Sequence, residues 1–188
     1  MWRATTRFPL ASHYDSMTDS PQDQPPRAAD AGYLNVRLRP GDWVAGRFQI
    51  IRQLGRGGFG RVYEARQDSM GQRRIALKIL APRNAREPNA EGRFKQEALL
   101  ASRLSHPNTI TLFDFGATEA GLFYIAMEYL DGETLGMVLR RGALSVARCE
   151  HVAVQLLRSL AEAHSIGLIH RDLKPDNIFL CQIFGERD

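Results

Sequence analysis

The segment His170-Arg171-Asp172-Leu173-Lys174-Pro175-Asp176-Asn177 holds a carboxylate, a lysine and a carboxamide in close succession. Phosphoryl transfer needs a carboxylate to orient the attacking hydroxyl, a cation to neutralise the moving phosphoryl group and an oxygen ligand for the metal. Asp172, Lys174 and Asn177 supply one each. The bland reading of the same octet is a charged turn that caps neighbouring helices.

A second group lies upstream. Gly55-Arg56-Gly57-Gly58-Phe59-Gly60-Arg61-Val62 gathers glycines whose backbone N–H groups phosphate oxygens can approach without side-chain obstruction. A lone G-x-G-x-x-G says little, and the following element decides between readings. A dinucleotide-binding turn opens a helix, whereas Arg61 to Arg66 is patterned as a strand. No G-K-[ST] follows, which excludes a Walker-type loop. A glycine-rich turn without a ligand is the alternative.

After a turn at Asp68 to Gly71, Arg73 to Leu80 reads as the returning strand. Its two-residue period puts Ala76, Lys78 and Leu80 on one face and Ile75, Leu77 and Ile79 on the other. A lysine among aliphatics can simply snorkel at an edge. In the next helix, about Asn89 to Leu104, Phe94, Glu97, Ala101 and Leu104 recur at helical spacing, so Glu97 lies on the buried stripe. A carboxylate there is costly unless paired, so Glu97 and Lys78 predict one another.

The elements that must hold the octet are equally legible. Ser145 to Ser165 carries Val146, Cys149, Val152, Ala153, Leu156, Leu157, Leu160 and Ala161 as an apolar stripe, which predicts a helix. Gly167 fits its C-terminal stop, Leu168-Ile169 reads as a short buried strand, and Pro175 prevents a helix across the loop. Thr109 to Phe115, Gly121 to Met127 and Ile178 to Leu180 read as further strands, and Glu133 to Arg141 as a short helix.

The order H-R-D-x-x-x-x-N is similar to the catalytic loop of protein kinases. With the glycine-rich hairpin, the I-A-L-K strand and Glu97 ahead of it in order, the chain resembles a eukaryotic-like serine/threonine protein kinase of the kind found in bacteria. The resemblance implies an α+β, protein-kinase-like fold, with a five-stranded antiparallel N-lobe carrying one helix and an incomplete, mainly helical C-lobe. It implies the N-lobe and hinge over 47–130 and a partial C-lobe over 131–188 ending after the catalytic loop, while composition reads 1–46 as a disordered leader.

It further implies ATP and Mg²⁺ as cofactors and a protein hydroxyl as acceptor. Asp172 is then the base, Lys174 the charge-neutralising group and Asn177 the metal ligand, while Lys78 paired with Glu97 grips the α- and β-phosphates. Gly55, Gly57, Gly58 and Gly60 wrap the phosphates. Met127-Glu128-Tyr129-Leu130-Asp131-Gly132 resembles the hinge, with Met127 as gatekeeper and the backbone of Glu128 and Leu130 on adenine. Val62 and Ala76 cover the ring from above and Phe179 from below, and Glu133 or Asp131 is the candidate for the ribose. The same residues would also serve as ordinary core. Lys174 after the H-R-D favours the serine/threonine class over tyrosine kinases.

Asp114-Phe115-Gly116 is not the metal-binding triplet of that family, because it precedes the catalytic loop instead of following it. The family pattern calls for a D-F-G and an activation loop after Asn177, and neither stands between there and Asp188. The expectation is an incomplete, inactive fragment, since loss of a metal that neutralises developing charge forfeits transition-state stabilisation. The long helix would then have part of its apolar stripe wet, and Arg171 would lack a phosphorylated partner. The reading from another class is a noncatalytic ATP-binding or protein-interaction module.

Composition narrows the rest. Hydrophobic content of 44% and charged content of 24% are those of a soluble globular protein. A net charge of +4 without a block of like charge speaks against nucleic acid as partner. Cys149 and Cys181 form neither a metal spacing nor a disulfide framework, so a cytoplasmic setting is expected. No apolar run reaches membrane-span length. Residues 1 to about 40 lack periodicity and carry Pro21, Pro25 and Pro26; Met17 reads as an alternative start.

Overall fold

The structure is a computed structural model that describes residues 2–6, 37–57, 60–68, 71–80 and 90–182. The chain forms two compact units. One comprises described residues from 37–98 and 112–129, and the other residues 2–6, 99–111 and 130–182.

The first unit is built on a six-stranded antiparallel sheet. In chain order its strands are β2 (Trp43–Val44), β3 (Phe48–Gly57), β4 (Gly60–Gln67), β5 (Arg73–Leu80), β6 (Leu112–Ala117) and β7 (Phe123–Glu128), arranged β2-β3-β4-β5-β7-β6. The five expected strands are all present, and the two-residue β2 is an addition that pairs Trp43 with Gln49 and Val44 with Phe48.

The alternation in β5 sorts the sheet into two faces. Ile75, Leu77 and Ile79 join Phe48, Tyr63, Ala65, Tyr124 and Ala126 in one buried cluster. Residues opposite each other in an antiparallel pair point to the same side. Val62 faces Lys78, Lys78 faces Ile125, and Ala76 faces Met127, so these residues share the other face.

Helix α1 (Ala90–Ala101) packs on that second face: the Phe94 ring stacks on Phe123 at 4.8 Å and meets Phe115 edge-on at 6.3 Å. Its last turn tightens, with Arg103 N–H bonded to Leu100 O and Leu104 N–H to Ala101 O, so the helix closes ahead of the expected Leu104.

The second unit holds β1 (Trp2–Thr6), β8 (Gly132–Thr134), helix α2 (Leu135–Arg140), helix α3 (Val146–Ser165) and β9 (Ile178–Gln182). Its sheet runs β1-β9-β8, antiparallel throughout. Helix α3 starts where Ser145 Oγ accepts the Arg148 N–H. It stops at Gly167, whose φ of 77° lets the Leu168 N–H return to Ala163 O at 2.9 Å.

Four expectations need correction. Residues 1–46 are not uniformly a leader without structure: β1 and β2 lie within them, and Ala4, Thr5 and Thr6 are buried within the second unit. The stripe on α3 divides, since Val152 and Ala163 are buried while Val146 and Leu157 are 84% and 64% exposed. The packed face includes Gln155 and Ser159 instead, because it meets polar groups of Ala4, Asn108 and Thr109. Leu168-Ile169 is not a strand and Ile169 is 61% exposed, as no described strand pairs with it. The segment from Glu133 begins as β8 paired to β9, and the helix starts only at Leu135, capped by Thr134.

Candidate active site

Each unit carries part of the predicted constellation. In the sheet unit, Gly57 pairs with Gly60 to close the β3–β4 hairpin. Gly58 lies outside the described residues. Gly55 and Gly60 are glycines for different reasons. Gly60 has φ of 129°, and a Cβ there would fall 2.0 Å from Ile79 O. A Cβ on Gly55 would meet nothing within 4 Å, so the fold makes no steric demand for glycine at that position.

Lys78 is 8% exposed at the centre of the face shared by Val62, Ala76, Ile125 and Met127. Glu97 is half-buried one turn beyond Phe94, the residue that seats α1 on that face. Neither Lys78 nor Glu97 is without a partner. Met127 is buried, and Glu128 ends β7 opposite Ile75.

The sequence reading missed Glu64, a buried carboxylate on the same face that bridges Arg52 at 2.8 Å and Arg74 at 2.9 Å. Its signal was a glutamate on an alternating strand with arginines on both neighbouring strands.

Asp114 is tied to the sheet. It pairs with Arg47 at 2.7 Å, and Arg47 also donates to the Tyr124 hydroxyl at 2.6 Å. Burial pushes the Tyr124 hydroxyl up, Asp114 adds to the shift, and Arg47 opposes it. A structural ion pair accounts for this aspartate.

In the second unit the loop residues converge. Lys174 Nζ lies 2.9 Å from Asp172 Oδ1. The Asn177 side-chain N–H donates to Asp172 O at 2.8 Å and to Asp172 Oδ2 at 2.9 Å. Burial alone would raise the Asp172 carboxyl, but hydrogen bonds from Lys174 and Asn177, with the charges of Lys174 and His170, hold it below its ordinary value. A carboxylate so held stays ionised near neutrality and accepts a proton-bearing hydroxyl.

The backbone places these groups. Asp172 N–H bonds to His170 O at 2.8 Å across Arg171, which has φ of 59°. A non-glycine residue in the left-handed region is sparsely populated, and such positions gather where the surroundings over-determine them. Pro175 opens a 3₁₀ turn through Asn177, the position where a missing N–H costs nothing.

Helix α2 seats that turn. A Cβ on Gly136 would fall 2.2 Å from Asp176 Oδ1, and a Cβ on Gly132 would fall 2.4 Å from Leu180 O. The approach at Gly132 is to backbone and requires glycine, whereas at Gly136 the exposed Asp176 side chain can turn aside. Phe179, in β9, pairs with Thr5 and Thr134 and is half-buried, as is Leu130. Glu133 is engaged by a two-point pair with Arg141, which gives it a structural partner. Asp131 is exposed.

The amide nitrogen of Asn177 faces Asp172, which sets its oxygen, the hard donor that Mg²⁺ takes, on the other side of the same planar group. The donor chemistry therefore fits a Mg²⁺ ligand. The open space at Gly55 likewise fits the close approach of a phosphate.

An antiparallel sheet with a buried lysine, followed by a largely helical unit carrying the Asp-Lys-Asn loop, has the make-up of the protein kinase fold. The family model described as the protein kinase domain matches residues 48–183, and the chain belongs to that family.

Its curated relatives include serine/threonine-protein kinase pkn3 of Myxococcus xanthus, 40% identical over 141 residues that cover 74% of this chain and 26% of that protein. Serine/threonine-protein kinase PrkC of Bacillus subtilis is 38% identical over 141 residues, 74% of this chain and 22% of that one. Among solved structures, the Mycobacterium tuberculosis PknI kinase domain superposes with a TM-score of 0.69 at 31% identity, covering 78% of this chain and 60% of that one. The chain thus spans about a quarter of the curated relatives it matches. No helix among the described residues is long and apolar enough to cross a membrane.

Proposed function

We propose that this chain carries the nucleotide-binding elements and the catalytic loop of a serine/threonine protein kinase, which transfers the γ-phosphoryl group of ATP to a protein hydroxyl. The observation that carries the reading is the convergence of Lys174 and Asn177 on one ionised carboxylate, Asp172. Family membership and relatives named as serine/threonine-protein kinases support it.

In this reading Asp172 orients the acceptor hydroxyl and takes its proton. Lys174 offsets charge on the moving group, and Asn177 holds Mg²⁺. Lys78, with Glu97 as its orienting partner, binds the α- and β-phosphates beneath the backbone of Gly55, Gly57, Gly58 and Gly60. Met127, Glu128 and Leu130 receive adenine, with Val62, Ala76 and Phe179 against its faces. Bound Mg²⁺ neutralises charge on the phosphates.

The 188-residue chain alone is expected to bind ATP without appreciable transfer, since no D-F-G stands between Asn177 and Asp188. Calorimetric titration with Mg·ATP tests the binding: Lys78→Met should weaken it at least about tenfold, while Asp172→Asn should change it little, because Asp172 acts on the acceptor. Equal affinity in Lys78→Met would refute the assignment. Phosphorylation of a generic basic protein above the Lys78→Met background would refute the inactivity. Absence of ATP binding together with a stoichiometric partner retained on gentle purification would favour the protein-interaction module.

A further inference from the structure

The amino-terminal strand is bonded along both of its edges. On one side it runs antiparallel to β9, from Trp2 opposite Gln182 to Thr6 opposite Ile178. On the other, Ala4 N–H donates to Gln155 Oε1 at 2.8 Å and Ala4 O accepts from Asn108 Nδ2 at 2.7 Å. Thr6 N–H donates to Asn108 O at 2.9 Å, and Thr6 O accepts from Ile110 N–H at 3.0 Å. Although β1 is the edge strand of its sheet, Gln155 and the segment 108–110 cover its outer edge, and Ala4, Thr5 and Thr6 are at most 2% exposed.

At its end, Thr6 Oγ1 lies 3.1 Å from His170 Nε2, with both residues buried. His170 is the residue whose carbonyl receives the Asp172 N–H. The contact therefore fixes the imidazole at the base of the turn that aims Asp172.

We infer that Thr6 is a positioning residue for the catalytic loop: its hydroxyl holds His170, and His170 holds the backbone turn that presents Asp172. The role rests on the reading of Asp172 as the base, but the test uses no turnover, so the two can fail separately. A side-chain hydroxyl is the right group for this task, because it meets either tautomer of a buried imidazole as donor or acceptor. Valine matches threonine in shape and lacks that capacity. Thr5 supplies the internal control, being equally buried one residue earlier, with no hydrogen-bond partner for its hydroxyl among the described residues.

The experiment compares Thr6→Val, Thr6→Ser and Thr5→Val in the full 188-residue chain. It reads the imidazole nitrogen resonances of His170 and the amide exchange rate of Asp172 by NMR. Thr6→Val should shift the His170 nitrogens and speed Asp172 exchange at least about tenfold, a local opening that the lost bond would permit. Thr6→Ser should restore both, and Thr5→Val should leave both as in the parent. Unchanged signals in Thr6→Val, or the same response in Thr5→Val, would overturn the inference. Should Thr6→Val not fold, retention of the parent signals in Thr6→Ser still supports the role of the hydroxyl, and their loss overturns it.

Discussion

Asn177 gives its one side-chain nitrogen to both the carbonyl and the carboxylate of Asp172, at 2.8 and 2.9 Å, while only 4% exposed. A single buried amide thus fixes the backbone and the side chain of the residue it serves. Asn177→Ala would leave the partly buried Asp172 acceptors short of a donor, at a cost of about 1 kcal/mol. The neighbouring Asp176, largely exposed, should lose under ~0.5 kcal/mol on change to Ala. Urea denaturation compares the two, and equal midpoints would show that the Asn177 bonds contribute nothing.

The acid limb of stability should carry the signature of this loop. Asp172 is held below its ordinary value, and so is Glu162, where burial acts upward but bonds from the N–H groups of Ser105 and His106 outweigh it. A carboxyl with a depressed folded pKa contributes stability above its unfolded value and loses it as pH falls through the folded value. Stability should therefore decline as pH drops below about 4–5. Asp172→Asn and Glu162→Gln should each flatten that decline, as followed by urea midpoints; an unchanged slope in both would contradict the assignment.

Thr5 offers a stabilising substitution. Its hydroxyl is fully buried with no hydrogen-bond partner among the described residues, so it pays desolvation without return. Thr5→Val keeps the shape and removes the polar atom, and should gain roughly 1 kcal/mol. A lower melting temperature than the parent would show that the hydroxyl has a partner after all.

The glycines of the β3–β4 hairpin should separate stability from binding. Gly60→Ala forces a methyl onto the Ile79 carbonyl from a strained φ, and should cost upwards of about 2 kcal/mol. Gly55→Ala meets open space and should change stability by less than ~1 kcal/mol while weakening ATP. Thermal melts and nucleotide titration of the two variants check both halves. A Gly55→Ala chain that binds ATP as the parent does would remove Gly55 from the phosphate site.

The elements that sequence revealed best are those whose burial is periodic. The β5 alternation sorted Ile75, Leu77 and Ile79 from Lys78 correctly, and Ser145 and Gly167 marked both ends of α3. What stayed hidden was set by partners far along the chain. Gln155 and Ser159 look like solvent-facing positions on a helical wheel, yet they face inward because their partners are polar atoms of Asn108 and Thr109. Trp2–Thr6 is too short to declare itself by period, and its pairing with β9 depends on a strand at the other end of the sequence. Leu168-Ile169 has the composition of a strand but no described strand to pair with.

The same pairing has a consequence for the order in which the chain can fold. The strands β2 to β5 pair with their neighbours in sequence, so their sheet can assemble as it is made. Thr6 and His170 are 164 residues apart. At roughly 5–20 residues per second, Trp2–Thr6 waits on the order of ten to thirty seconds after its own synthesis for its partners. Until then its backbone groups are an unclaimed template for any other strand, and closing so long a loop is slow. The interval of greatest exposure to misassociation therefore falls on the unit that carries Asp172, and it ends only when β9 has been synthesised.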